Sequence, residues 1–494
     1  MSWKGILLAI TIAFVGVIAI MVWNTARMPS TRIDAEPPDE EIEERVSGID
    51  GAEVATHLAE AVRFRTISSD TPRPNEAKPF LAFHDWLEAT YPNAHGVMER
   101  ERINELSLLY RWPGRSDCKP VGFISHLDVV PVEEESIEEW AHPPFAGTVA
   151  DGYVWGRGSV DTKSNLVMIM EAVERLAEDA YTPSCDIYLL FGHDEEIGGS
   201  NGAGAMSQRL AEQGIHLDWV LDESGGGSIH TDGSSKWAQI TLSQRGYVTF
   251  ELTATGVGGH SAVPLRPNAI LRLSRALMRL SNSSLPGGLE GLALEMVKAR
   301  VQRRSYLERL LVANTWITKP VVERIIESMP GGTAILRTTH SPTVIDGGQK
   351  DNVLPKTARA LVNFRVHPRD DIEFVRNWVR ETINDDSIKV SIHQERAFEA
   401  PPATDPSAPQ VTHLKEVIGE AFGPIDPLIT GFGLAASDAR HYALTADALL
   451  KFEPVVISED DSLNPHDTNE RLPIDSLARG VVFYQRLIER QGLE

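Results

Sequence analysis

Five side chains that bind metals well, His126, Asp161, Glu196, Asp222 and His466, fall at the ends of separate predicted strands or in loops. Asp128 and Glu195 stand beside the first and third of them. Imidazoles and carboxylates without a thiolate suit a catalytic zinc or cobalt pair better than a structural zinc. Two such ions clamp a hydroxide and polarise a carbonyl, and a spare carboxylate serves as base. The set points to metal-assisted hydrolysis.

Each piece is ordinary alone. In SHLDVVPV, His126 and Asp128 lie two apart at a strand end and share a face, so the carboxylate can fix the imidazole tautomer. Asp161, in the Gly-rich run GRGSVDTKSN before a helix, has two oxygens and can bridge two cations. In GHDEEIGGS, adjacent Glu195 and Glu196 repel unless a cation neutralises one. The natural division puts Glu196 on metal and leaves Glu195 to take a proton from water. LDES ends a strand with two carboxylates; Asp222 is preferred over Glu223 as the strand-terminal one. His466, in NPHDTNERL, completes the second ion.

The elements that must position these groups alternate. The short apolar runs VGFIS, CDIYLLF and LDWVLD read as buried strands, with helical patterns at 164–178 and 202–213 between them. That order predicts an α/β layer fold with a largely parallel sheet and ligands at its carboxyl edge. Helices are expected at 51–64 and 76–91 before it. From about 246 to 366 the style changes to alternating strands (YVTFELTATG, RALVNFRVHP) around helical stretches near 268 and 289–328, an inserted α+β domain. The catalytic domain is thus expected at 51–245 and 367–494.

Residues 5–23 contain no charge and, as a helix, would be about 28 Å long, close to the hydrocarbon thickness of a bilayer. Trp3 and Trp23 flank the run, and NTARMPS after it is a poor cleavage site. Residues 1–27 therefore read as an uncleaved membrane anchor rather than a signal peptide. Residues 28–50 follow as an acidic, extended, self-repelling tether. With 47 Lys and Arg against 70 Asp and Glu, the chain carries −23 and is a poor partner for nucleic acid. Cys118 and Cys185 cannot form a disulfide framework and are read as two buried thiols, one bridge being the alternative.

The motifs SHLDVVPV, WGRGSVDTKSN, GHDEEIGGS, LDES, GGHSAVP, DNVLP, NFRVHP and NPHDTNERL, in this order over about 120–470, resemble the co-catalytic zinc exopeptidase and aminoacylase family (peptidase family M20). GHDEE and the WAHPPF-then-GRGS spacing look most like the carboxypeptidase S branch, which includes the N-fatty-acyl-amino-acid synthase/hydrolases. The resemblance implies an αβα catalytic domain with an inserted lid and dimerisation domain. It implies two zinc ions per subunit, with cobalt as the alternative. His126, Asp161 and Asp222 would hold one ion, and Asp161, Glu196 and His466 the other; some relatives carry the fourth ligand at the position of Glu223. Asp128 would support His126, and Glu195 would be the base. His260 would polarise the scissile carbonyl, Arg365 would hold the substrate carboxylate, and Asn352 would assist binding.

The expected activity is that of a membrane-tethered metallocarboxypeptidase on short peptides, of the Gly-Xaa type. The alternative is an N-acyl-amino-acid amidohydrolase, and the remote one a catalytically silent binding module. A homodimer through the insert and an extracytoplasmic catalytic domain complete the expectation.

Overall fold

The computed structural model describes residues 3–69, 75–224, 228–263, 266–458 and 461–491. Two compact units divide the chain. One comprises Ser30–Leu242, Thr404–Gly431 and Ser437–Glu494. Its sheet has ten strands among the described residues, with a parallel centre. Val121–His126 runs parallel to Ile187–Gly192 on one side and Leu217–Asp222 on the other, and Ala446–Lys451 extends the parallel set. Antiparallel pairs flank it, such as Glu99–Ile103 with Ser107–Trp112.

These central strands are apolar on both faces because both faces are covered. Ile124, Leu190 and Val220 pack with Met206 and Leu210 of helix Ala203–Glu212. Phe123, one residue along, points the other way and meets Tyr484 of helix Leu477–Glu489 with ring centroids 5.7 Å apart. Helix Lys163–Glu178 lies on that side too, where its Asn165 accepts the Tyr484 hydroxyl. The expected three-layer αβα order results. His126 pairs with Gly192 and Asp222 with Lys451, so the carboxyl ends of the parallel strands deliver their loops at one edge.

The other unit comprises Met1–Pro29, Ser243–Ala403 and Phe432–Ala436. Its four-stranded antiparallel sheet runs in the order Thr339–Gly347, Thr357–Val366, Gly246–Thr255, Ile388–Phe398. Val248, Phe250, Val362 and Phe364 form a core with Leu273 of helix Ala269–Ser281 and Val375 and Val379 of helix Ile372–Ile383. Asn268 and Asp371 cap those helices, accepting from Leu271 N at 3.1 Å and Phe374 N at 2.6 Å.

Three expectations change. The inserted unit extends to Ala403 rather than ending at 366, because strand Ile388–Phe398 pairs with Gly246–Thr255 and keeps helix Ile372–Ile383 with it. The acidic segment is not an extended tether throughout. Asp39 caps a helix Glu40–Gly48 that buries Ile42, Arg45 pairs with Glu489 at 2.7 Å, and Ile33 bridges to Ile425. A few isoleucines and ion pairs, Glu43 with Arg479 at 2.9 Å among them, outweigh the repulsion that composition alone suggests. Cys118 and Cys185 are bridged, their Cα atoms 5.3 Å apart. The bridge closes a loop with a sequence separation of 67, worth about 4 kcal/mol in the chain-entropy picture.

Candidate metal centre

The strand-end loops bring four of the five expected ligands together. Asp161 is their hub. Its Oδ1 lies 2.9 Å from His126 Nε2, and its Oδ2 lies 3.1 Å from His466 Nε2. Glu196 Oε2 is 3.2 Å from the same His466 nitrogen. Ligand atoms of His126, Asp161 and Glu196 all fall within 4.8 Å of one another. One carboxylate thus faces two imidazoles through different oxygens, the disposition a bridging ligand requires.

Backbone hydrogen bonds hold this geometry. Asp128 is fully buried; its Oδ1 accepts from Glu195 N and its Oδ2 from Glu196 N, both at 3.2 Å. Its Oδ1 also lies 3.3 Å from His126 Nδ1, which contacts the Asp128 carbonyl at 2.9 Å. One aspartate therefore orients the histidine and pins the glutamate turn. Gly192 and Gly199 bracket that turn. A Cβ on Gly199, at φ 66°, would meet Asp438 Oδ1 at 2.1 Å, and one on Gly192 would meet Oδ2 at 2.6 Å. His466 adopts φ 60°, a conformation costing a non-glycine residue about 1 kcal/mol or more and frequent at functional sites.

Two acidic residues take parts that the motifs did not suggest, and a third stands where the resemblance offered an alternative. Glu470, also fully buried, gathers the Asp161 loop: Oε1 accepts from Gly158 N, Val160 N and Asp161 N at 3.0, 2.9 and 3.1 Å, and Oε2 pairs with Arg157 at 2.5 Å. In the sequence it is one more acid in NPHDTNERL; its position four residues after His466 was the available signal. Asp438 is buried against the Gly192–Gly199 turn with neither oxygen hydrogen-bonded.

The third is Glu223, the alternative to Asp222 in LDES. Both Asp222 oxygens are occupied: Oδ1 accepts from Glu223 N at 2.8 Å, and Oδ2 from Ser437 Oγ and Ala439 N, each at 2.7 Å. Glu223 Oε2 is buried without a hydrogen-bond partner, as is Glu196 Oε1. An orphaned buried carboxylate oxygen is costly unless a cation meets it.

The electrostatics agree. Burial pushes the Glu195 carboxyl up to about 8, helped by Glu196 and Asp161. Burial also raises Glu196 and, far more, Glu223, which Asp161 and Asp222 push further. Hydrogen bonds to Asp161 and Glu196 raise the His466 imidazole to about 10. Burial favours neutral His126, but Asp128 and Asp161 outweigh it and raise that imidazole too. Glutamates whose burial resists ionisation, clustered with imidazoles, are groups that a cation would stabilise in their charged form. The oxygen and nitrogen donors, the two orphaned glutamate oxygens and the missing thiolate all fit zinc.

The three expected substrate contacts lie in the other unit. His260 and Asn352 come together there: Gly259–His260 pairs with Val353–Leu354, and Ser261 N donates to Asn352 O at 3.1 Å. Pro264 of GGHSAVP lies outside the described residues. Arg365 is exposed, its guanidinium 5.0 Å from the Tyr247 ring centroid, with no acidic partner among the described residues.

Residues 122–490 match the profile of Peptidase family M20/M25/M40. The chain belongs to this family. It is 32% identical to a probable carboxypeptidase S-like 2 of Dictyostelium discoideum over 96% of this chain and 92% of that one. It is 30% identical to the N-fatty-acyl-amino acid synthase/hydrolase PM20D1 of Xenopus tropicalis over 100% and 97%. Among solved structures, the M20 family metallo-carboxypeptidase Sso-CP2 of Sulfolobus solfataricus superposes with a TM-score of 0.65 at 19% identity, covering 89% of this chain and 99% of that one. Human carnosine dipeptidase 1 gives 0.64 at 17%, over 92% and 99%. As an M20 member, the chain is a hydrolytic enzyme of the metallo-carboxypeptidase and amidohydrolase kind, on the α/β fold described above.

Proposed function

We propose that this M20 enzyme is a membrane-tethered di-zinc carboxypeptidase that cleaves an amide next to a free carboxylate in short peptides. The observation that carries the reading is Asp161, whose two oxygens face His126 and His466 separately. His126, Asp161 and Glu223 would hold one ion, and Asp161, Glu196 and His466 the other. Ions bound there supply Lewis-acid activation of water and of the amide carbonyl. Glu195 takes the proton from water and returns it to the leaving amine. Its raised affinity for a proton suits both halves of that task, and bound cations would draw it down toward neutrality. Asp128 keeps His126 in register and Glu195 beside it. His260, Asn352 and Arg365 keep the substrate-side roles that the family resemblance implies. For Arg365, an exposed cation without an acidic partner among the described residues, in a chain of net charge −23, supports a carboxylate clamp.

The tether reading rests on helix Trp3–Ala26, 24 residues long and apolar enough to cross a membrane, with none of its apolar window buried. The Cys118–Cys185 bridge favours an oxidising compartment and so an extracytoplasmic catalytic unit.

A second substrate class has its own support. Similarity to an N-fatty-acyl-amino acid synthase/hydrolase extends over the whole chain, and an anchored enzyme stands close to lipidic acyl groups. Either substrate presents an amide beside a carboxylate. Turnover of Gly-Xaa dipeptides against N-acyl amino acids, with zinc and after chelation, tests the reading. Faster cleavage of dipeptides, abolished by chelator and restored by zinc, is expected. Faster cleavage of N-acyl amino acids gives the second reading, and activity indifferent to chelation overturns both.

A further inference from the structure

The inserted unit carries an apolar surface that the proposed chemistry does not use. Helices Tyr306–Ala313 and Thr315–Glu327 form a hairpin joined at Asn314. In the second helix Trp316, Ile317, Pro320, Val321, Arg324 and Ile325 are exposed while Val322 and Ile326 are buried. At 100° per residue the exposed six fall on one face, opposite the buried pair. Leu307 and Tyr306 of the first helix are 63% and 51% exposed. A helix that turns its apolar face away from its own core is presenting it to something.

The hairpin is locked to the end of helix Trp3–Ala26. Asn314, fully buried, accepts from Asn24 Nδ2 at 3.0 Å and donates to Met21 O at 3.0 Å. Trp316 Nε1 donates to the same Asn314 oxygen at 3.2 Å, and Gln302 Nε2 reaches Pro29 O at 3.1 Å. Beside this knot the Arg27 guanidinium sits 4.0 Å from the Trp23 ring centroid, a Trp–Arg pair of the kind that marks a headgroup zone. The hairpin therefore stands at the level where the apolar helix ends. Its charge is unlike the rest of the chain: residues 291–330 hold seven Lys and Arg against four Glu, where the whole chain carries −23.

We propose that the 306–327 hairpin docks on the bilayer surface from which the anchor emerges, with Leu307, Trp316, Ile317 and Val321 in the headgroup–acyl boundary and the neighbouring arginines against anionic headgroups. This rests on the anchor reading of helix Trp3–Ala26. A surface contact next to a spanning helix converts a swivelling tether into a fixed mount, because the second contact forms at high effective concentration.

The test uses the full zinc-loaded chain, one copy per phosphatidylcholine–phosphatidylserine nanodisc. An environment-sensitive fluorophore is placed at Leu307→Cys, Val321→Cys or, as an exposed control in the catalytic unit, Glu178→Cys; Cys118 and Cys185 are already paired. Wild-type turnover on dipeptides verifies folding of each variant. Nitroxide-bearing lipid should quench the labels at 307 and 321 roughly twofold, as expected for groups held at the headgroup–acyl boundary, and leave the control unchanged. Chain retained in the disc with all three labels unquenched overturns the docking while sparing the anchor. Labels shielded in detergent oligomers yet unquenched in single-copy discs would assign the face to a second copy and overturn it equally. Failure of the chain to stay in the disc overturns the anchor and the docking together.

Discussion

The carboxylate cluster at the strand ends and the 306–327 hairpin break the sorting of residues into core and surface in opposite directions. In the first, Asp128, Asp222, Glu223 and Asp438 are buried beside an aliphatic and aromatic core. In the second, Trp316, Ile317 and Val321 face outward. Each departure would cost stability if nothing answered it. The cluster shows how the cost is limited: backbone N–H groups take up Asp128, Asp222 and Glu470, and the oxygens left over on Glu196 and Glu223 face the proposed cations. Among the described residues nothing covers the hairpin's apolar face, which fits the bilayer surface proposed for it. A departure half-answered from within points to a small ligand, and one left wholly open points to a surface.

The largest expected effect separates two neighbours in the cluster. Glu223→Gln should lower the zinc content of the purified enzyme from two ions to one and cut turnover at least ~10²-fold, whereas Asp222→Asn should keep both ions and cost roughly 1–3 kcal/mol of stability through its lost hydrogen bonds. Metal analysis beside thermal melting reads both; the opposite assignment would return the ligand role to Asp222. Next, Glu470→Gln should weaken zinc binding ~10–100-fold by loosening the Asp161 loop, measured by competition with a chelator. Unchanged affinity would leave Glu470 a purely architectural residue.

A smaller effect concerns buried groups that no ligand answers. Burial lowers the His84 imidazole from 6.5 to about 4, with its Nε2 on Leu106 O at 3.0 Å and its Nδ1 unpaired. The unfolded chain takes up that proton first as the medium is acidified. The stability His84 contributes is therefore whole above pH 6.5 and declines as pH falls toward about 4. Melting temperature across that window should fall less steeply for His84→Gln than for the parent; parallel curves would show that His84 does not contribute to the acid sensitivity.

Much of the catalytic unit was legible in the chain because it is locally encoded. Apolar runs ending in His126, Gly192 and Asp222 are strands wherever they occur, and glycine-rich turns follow them. What stayed hidden depends on partners far along the chain. Asp222 and Glu223 are adjacent carboxylates, and the loop at Ser437 and Ala439 that takes up Asp222 lies more than 200 residues away. The extent of the inserted unit follows from pairing between strands 246–255 and 388–398, and the acidic helix at 40–48 from its packing on helix Leu477–Glu489. The Cys118–Cys185 bridge likewise joins positions that no spacing rule connects.

In the proposed mechanism Glu195 moves the proton at a centre it does not help to build. Glu195→Gln, assayed beside the parent for bound zinc and for dipeptide turnover, tests it most directly. Unchanged metal content with turnover reduced at least ~10²-fold is expected. Near-parental turnover with both ions in place would contradict it.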